Sequence, residues 1–374
     1  MPPTNPAGEE DLDFVPVPQP VHYAEQALLG ALLLDPRHRT TLGPLEPDSF
    51  DNHAHGALFA AIRTLPLPDP DQHRTSTTWL DAVLDRARPE APGLTASYLH
   101  TLIQFCPRPG HAAAYAQMIR ADHARRTLRE HADRLAQRAT DTAGPNPAAA
   151  TLAQVDATAR HLEQLARQFA PHPGSLPRTP APQPPQPAAD EDALEEERLL
   201  LATATAHPSE LPAMRWLHPD DFALPLHGAL FQCLTALAHR GDAVDPVTVL
   251  WEAQHRGLLT QGIVPGDLLA LVSAPAGTSE YWGERILTRA LLSRAHAVAL
   301  HIRAFTDDPA NTAHQLITGA RRALADLNAV RARWQRTAPG PAQPAGRRDA
   351  RTPGAARAGP GRPTPPSPAA RAVR

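Results

Sequence analysis

One signature occurs twice in this chain, in the same order. Moving the second half back by 172 residues lays Glu197-Arg198-Leu199-Leu200-Leu201 on Glu25-Gln26-Ala27-Leu28-Leu29. The same shift lays Leu217, Pro219, Asp220 and Phe222 on Leu45, Pro47, Asp48 and Phe50. It also lays His227-Gly228-Ala229-Leu230-Phe231 on the identical run His55-Gly56-Ala57-Leu58-Phe59. Towards the end an offset of 162 pairs Asp308-Pro309 with Asn146-Pro147 and Leu324 with Leu162. Similarity of composition alone does not keep order and phase over such a distance, so the chain reads as a tandem duplication.

Each copy reads as helix. Ala24, Ala27, Leu28, Ala31 and Leu32 recur at helical spacing, and Leu58, Phe59, Ile62 and Leu65 mark a second helix from about His53. Shorter helices are expected over 79–87 and 94–105. Residues 111–139 form a long helix with the seam Ala121, Ala124, Leu128, Ala132, Leu135 and Ala139. Beyond the turn Gly144-Pro145-Asn146-Pro147 runs the stripe Leu152, Val155, Ala159, Leu162, Ala166 and Phe169, whose steps of three and four suit side-by-side helix pairing. Copy two closes in the same way, over 280–305 and 310–336, with the seam Ala313, Ile317, Ala320, Leu324 and Leu327. The fold class expected is all-α: two small helical bundles, each followed by an antiparallel helical hairpin. Leu128, Leu135, Leu152, Val155, Leu162, Phe169, Ile317, Leu324 and Leu327 are the candidate hairpin interface. The cluster Val244–Val249, interrupted by Pro246, fits a loop entering a helix better than a strand.

Proline sets the limits. It supplies 43 of 374 residues, more than helix interiors tolerate, so it must concentrate in linkers and at helix starts. The expected organisation is a disordered N-terminus over 1–20, copy one over 21–169, a Pro-rich linker over 170–190, copy two over 191–336, and a disordered Arg/Pro-rich tail over 337–374.

All 36 basic residues are arginine. Without lysine there is no phosphate-loop lysine, no Schiff base and no Ser–Lys dyad, and the chain is not expected to be an enzyme. No cofactor is expected. Among the histidines and cysteines no metal-ligand spacing occurs, and His55 and His227 fit a capping or inter-helix hydrogen bond better than catalysis. Cys106 and Cys233 read as reduced or buried thiols, and a cytoplasmic protein without membrane segments is expected. With a net charge of -3 the whole chain is no polyanion binder by charge alone. In the tail, however, Arg347, Arg348, Arg351, Arg357 and Arg362 face only Asp349 and are candidate phosphate contacts for non-specific DNA binding. The arginines at 120, 125, 126, 129, 134 and 138 on the long helix fit a solvated face better.

The repeated residues also carry a resemblance. Glu-x-x-Leu-Leu-Gly from Glu25 to Gly30, Leu-x-Pro-x-x-Phe and His-x-x-Leu-Phe resemble the N-terminal domain of DnaB-type replicative DNA helicases. Copy one adds Tyr115-Ala116 and Arg126. Copy two adds Arg240-Gly241-Asp242-Ala243-Val244-Asp245 and Val247-Thr248-Val249, similar to the family's Gly-x-Pro-Val-Asp-x-Val-Thr loop with Ala243 for proline. Copy one has Leu67-Pro68-Asp69-Pro70 at that place, and copy two has Ala202 for the early glycine and Trp282 near the tyrosine position. The resemblance implies hairpins through which domains self-associate, and a collar where primase docks. It implies no ATP hydrolysis, which belongs to a separate motor domain. The function expected is a replication-associated, non-catalytic interaction protein binding a helicase, a primase or its own kind. The alternative is a nucleic-acid-binding accessory protein gripping phosphates through its tail.

Overall fold

The computed structural model describes residues 19–169, 176–180, 190–259 and 263–337. Every regular element among the described residues is helical. Copy one contains α1 (Pro20–Leu34), α2 (His53–Thr64), α3 (Pro70–Thr75), α4 (Thr78–Ala87), α5 (Ala96–Phe105), α6 (Ala112–Thr140) and α7 (Pro147–Gln168). Copy two contains α8 (Glu191–Ala206), α9 (Pro225–Arg240), α10 (Pro246–His255), α11 (Pro265–Leu271), α12 (Ser279–Asp307) and α13 (Ala313–Thr337). None of these helices is long and apolar enough to cross a membrane.

Helix starts account for much of the proline. Pro20, Pro70, Pro147, Pro225, Pro246 and Pro265 are first residues of α-helices, where a missing N–H leaves no bond unmade. Side chains cap the same ends: Asn52 accepts from the Ala54 N–H at 2.9 Å, and Asp245 from Val247 and Thr248 at 2.8 and 2.9 Å. The 244–249 cluster is thus a capped helix entry. Pro47 and Pro219 open single 3-10 turns, Pro47–Ser49 and Pro219–Asp221.

Two hydrophobic cores form, and they do not divide at the linker. One gathers α1, α2, α4, α5 and the start of α6, from Ala24 to Ile119. The other begins at Ala124, still within α6, and takes in α7 and all of copy two to Val330. The first hairpin therefore shares its core with the second copy. Its stripe has no apolar partner in its own bundle and finds one in α12 and α13.

Burial also corrects the repeat register at the end of the chain. The buried positions of α13 match those of α7 at an offset of 165: Ile317 with Leu152, Ala320 with Val155, Leu327 with Leu162, Val330 with Leu165. Asn311 then corresponds to Asn146, and Leu324 does not correspond to Leu162. A slip of three residues almost preserves helical phase, which is why sequence alone allowed the offset of 162.

Candidate functional site

The signature of each copy folds into one brace. Glu25 on α1 is sealed from solvent, and its carboxylate accepts from the Asp51 N–H at 2.5 Å and the Asn52 N–H at 3.4 Å. His55 on α2 places Nδ1 2.7 Å from Glu25 Oε2 and Nε2 2.6 Å from the Tyr98 hydroxyl. With the proton on Nδ1, His55 donates to the carboxylate and Tyr98 donates to Nε2. Burial pushes the Tyr98 phenol above its ordinary range. Copy two repeats the pattern: Glu197 accepts from Ala223 and Leu224 N–H at 2.5 and 3.4 Å, and His227 Nδ1 lies 2.8 Å from it. The brace ties the first helix to the N-terminus of the second through the loop that carries the Pro-x-x-Phe turn. Phe50 and Phe222 anchor that loop against Phe59 and Phe231, with ring centroids 5.0 and 5.4 Å apart. The glycine after each histidine is also fixed: a Cβ at Gly56 would stand 2.8 Å from the Pro47 carbonyl oxygen, and Gly228 is still more tightly placed against Pro219.

His22, Glu25 and His55 hold potential ligand atoms within 4.8 Å of one another. Their bonding fits a brace rather than a metal centre. Both His55 nitrogens and the Glu25 carboxylate are engaged by protein groups, and copy two keeps the Glu–His pair with Leu194 where His22 stands.

The hairpins meet each other. α12 packs along α6 in antiparallel fashion, and α13 packs on α7, to give a four-helix core. Leu128, Leu135, Leu152, Val155, Leu162, Phe169, Ile317, Leu324 and Leu327 all lie buried within the same core. Ion pairs cross between the copies along its flanks: Arg129–Asp307 at 2.8 Å, Arg303–Asp133 at 3.0 Å and Arg331–Asp156 at 2.6 Å. Arg125 reaches from α6 into the α12–α13 turn. It donates to the carbonyls of Thr306 (3.0 Å), Asp308 (2.7 Å), Pro309 (3.3 Å) and Asn311 (2.5 Å).

These contacts are one-sided. The buried positions of α6 and α12 match at an offset of 167 (Leu128 with Ala295, Leu135 with Ile302), which puts Leu292 where Arg125 stands. Leu292 lies with Gly144 and Pro145 along a cleft at the first hairpin's turn. The contacts of Arg125 with the α12–α13 turn therefore have no symmetric counterpart on α12.

Of the six arginines foreseen as a solvated face, Arg129, Arg134 and Arg138 are exposed, whereas Arg120, Arg125 and Arg126 are half-buried and bonded to protein carbonyls. Arg120 donates to the Leu42 carbonyl at 2.8 Å, and Arg126 to the Ser49 carbonyl at 2.8 Å and to Asp122 at 2.9 Å. Arg125 and Arg129 bind the second copy. In copy two, Arg333 on α13 pairs with buried Asp221 (Nη2–Oδ1 2.9 Å) and donates to the Trp216 carbonyl, which ties α13 back to the bundle. The tail candidates Arg347, Arg348, Arg351, Arg357 and Arg362 lie outside the described residues. Cys106 is half-buried and Cys233 buried, both as free thiols raised in pKa by burial, Cys233 to about 11.

Sequence reasoning missed the partner of the signature glutamate, although Glu25 and Glu197 head the repeated run. It also missed a stacked pair across the first hairpin, His131 on α6 and His161 on α7, with centroids 4.5 Å apart. No periodicity announces either contact, because both are made between helices.

Compared with known proteins, the family model of the DnaB-like helicase N terminal domain matches residues 17–121 and, again, residues 189–283. No curated protein and no solved structure matches the chain. The two matched segments cover each small bundle with its brace and the first part of each long helix.

Proposed function

Because this chain belongs to the DnaB-like helicase N-terminal domain family, in two copies, we propose that it is a non-catalytic interaction protein of DNA replication in the cytoplasm. It presents a collar-like pair of domains to a replicative helicase or to primase. The observation that carries this reading is the duplicated Glu–His-braced bundle, the part of each copy that the family match covers. The paired hairpins support it further. With their apolar stripes already buried against each other, the outward faces of the two bundles remain for a partner. A binding face has to be available without unfolding, and the bundles meet that condition where the stripes do not.

Binding of the purified full-length chain to the replicative helicase and to the primase of its host, each measured separately by interferometry, tests this reading. Saturable binding to either one is expected. Failure to bind both in the presence and absence of nucleotide would sink it. The tail supports a second reading, in which arginines clustered opposite a single aspartate grip phosphate backbones. Retention on DNA that falls steeply with salt and is lost when residues 338–374 are removed is the result that this second reading requires.

A further inference from the structure

We propose that residues 176–180 form a clasp that commits the two hairpins of one chain to each other, in preference to the hairpins of a second chain. This segment lies inside the stretch 170–190, where sequence composition led to the expectation of a structureless linker. Four of its five described residues, Leu176 to Thr179, are instead held against the α12–α13 turn and the start of α13.

Asn311, 1% exposed, spends its whole carboxamide on this arrangement. Its Oδ1 accepts from the Arg178 N–H at 2.8 Å, and its Nδ2 donates to Thr179 Oγ1 at 2.8 Å and to the Phe305 carbonyl at 3.0 Å. The Thr179 hydroxyl donates to Asp308 Oδ2 at 2.5 Å, and the Gln315 side chain donates to the Leu176 carbonyl at 2.9 Å. The Thr179 hydroxyl, followed by the Ala310 N–H, holds the Asp308 carboxyl below its ordinary range. Pro177 seats over Gly319, where a Cβ would collide with both the proline ring and the Phe305 ring. The turn is thus gripped from two sides, by the clasp and by Arg125 of the first hairpin.

The consequence is geometric. Phe169, which ends α7, already lies edge-on to His314 with centroids 6.1 Å apart, and six residues separate it from Leu176. With the clasp seated, the end of α7 stays within roughly 25 Å of the second hairpin's turn, at ~3.5 Å for each of about 7 steps. The first hairpin cannot then leave for another molecule while its own clasp is engaged. Cutting the working tether from about 21 residues to about 6 raises the effective concentration of the partner hairpin roughly sixfold, by the three-halves power of length. The one-sided contacts of Arg125 choose a first hairpin with a second. The clasp chooses which second.

The test uses the full chain and the double variant Thr179→Ala/Gln315→Ala, which removes three bonds at the clasp (Thr179 to Asp308, Asn311 to Thr179 and Gln315 to Leu176) without touching the apolar core. Pro177→Gly serves as a second variant that removes no hydrogen bond but takes the proline ring off Gly319 and softens the segment. In the double variant, hydrogen exchange of amides over 305–316 should accelerate roughly tenfold or more. Mixed dimers of isotopically light and heavy chains, unfolded and refolded together, should appear by native mass spectrometry for the variants and not for the wild type. Unchanged exchange over 305–316 in both variants would overturn the clasp. So would faster exchange with every species still at single-chain mass, since the clasp would then hold the turn without selecting the partner. The proposal does not depend on what the bundles bind.

Discussion

The Glu25 carboxylate and the His55 imidazole are both sealed from solvent and stand 2.7 Å apart, joining α1 to α2; the same two residue types stand 2.8 Å apart in copy two. A buried acceptor that loses its donor costs about 1–3 kcal/mol, because water cannot replace the bond. His55→Ala is expected to lower stability by at least that amount, and His227→Ala by a similar amount, measured as shifts in the urea midpoint. Since the two braces stand in different cores, hydrogen exchange should locate the loss: α2 and α4 exposed by the first variant, α9 and α10 by the second. Equal exposure of both bundles by either variant would contradict two separate cores.

The glycines that follow those histidines make a sharper prediction. A Cβ at Gly56 meets the Pro47 backbone carbonyl, which is held by its own 3-10 turn and has little room to move. Gly56→Ala and Gly228→Ala should each cost about 1–3 kcal/mol by overpacking, despite the better helix propensity of alanine. Gly93→Ala, with nothing within 4 Å of the added Cβ, is the control and should leave the urea midpoint nearly unchanged.

These residues show how much of the molecule was legible beforehand. The helices expected over 79–87 and 111–139 lie close to the observed Thr78–Ala87 and Ala112–Thr140, and the second helix starts at His53 as apolar periodicity led one to expect. Gly56 and Gly228 were visible as a repeated His-Gly, but the reason for the glycine lies in a loop several residues upstream. The short helices α3 and α11 carry too few turns for a period to show. The clasp was hidden by composition: Pro-rich sequence reads as linker, and only the buried carboxamide of Asn311, 131 to 135 residues downstream of the clasp, gives it a seat. The cross-copy core was half legible. The stripes and the reach of a linker of about 21 residues lead to the expectation that the two hairpins pair within one molecule, and Leu128 and Leu327 do share one core. The residues that flank and lock that core, Arg125 among them, carry no such signal.

The histidines of the first hairpin predict a pH dependence. Burial, then the charge of His161, then that of Arg134, lowers His131 to about 4 from an ordinary value of 6.5. His161 is lowered as well, by burial first and then by His123 and Arg134, with Glu130 opposing. Well above pH 6.5, from about pH 7.5, both rings are neutral folded or unfolded and add no pH dependence. As the pH falls from 6.5 towards 4 the unfolded chain takes up protons that the folded hairpin refuses, and stability declines across that window. Urea midpoints measured from pH 7.5 to 4.5 should fall, and His131→Ala/His161→Ala should flatten the slope. A slope unchanged in the double variant would assign the acid sensitivity elsewhere.

The paired hairpins should behave as one core that the first bundle can do without. Leu327 is fully buried between the hairpins, whereas Leu324 sits at the edge of burial, 9% exposed. Leu327→Ala is therefore expected to cost about 2–5 kcal/mol, the range for a buried leucine, and Leu324→Ala distinctly less. A charge goes further: Leu327→Asp places a carboxylate among Leu and Ala side chains with no partner provided, and α7, α12 and the second half of α6 should lose exchange protection along with α13. Protection of α1, α2, α4 and α5 should persist, because their core ends at Ile119 and receives nothing from α13. Light scattering completes the measurement. The wild type should show the mass of one chain across the micromolar range, since its apolar stripes are already covered. Leu327→Asp should associate through the stripe it uncovers, and a wild type that runs as a stable dimer of chains would refute pairing within one molecule.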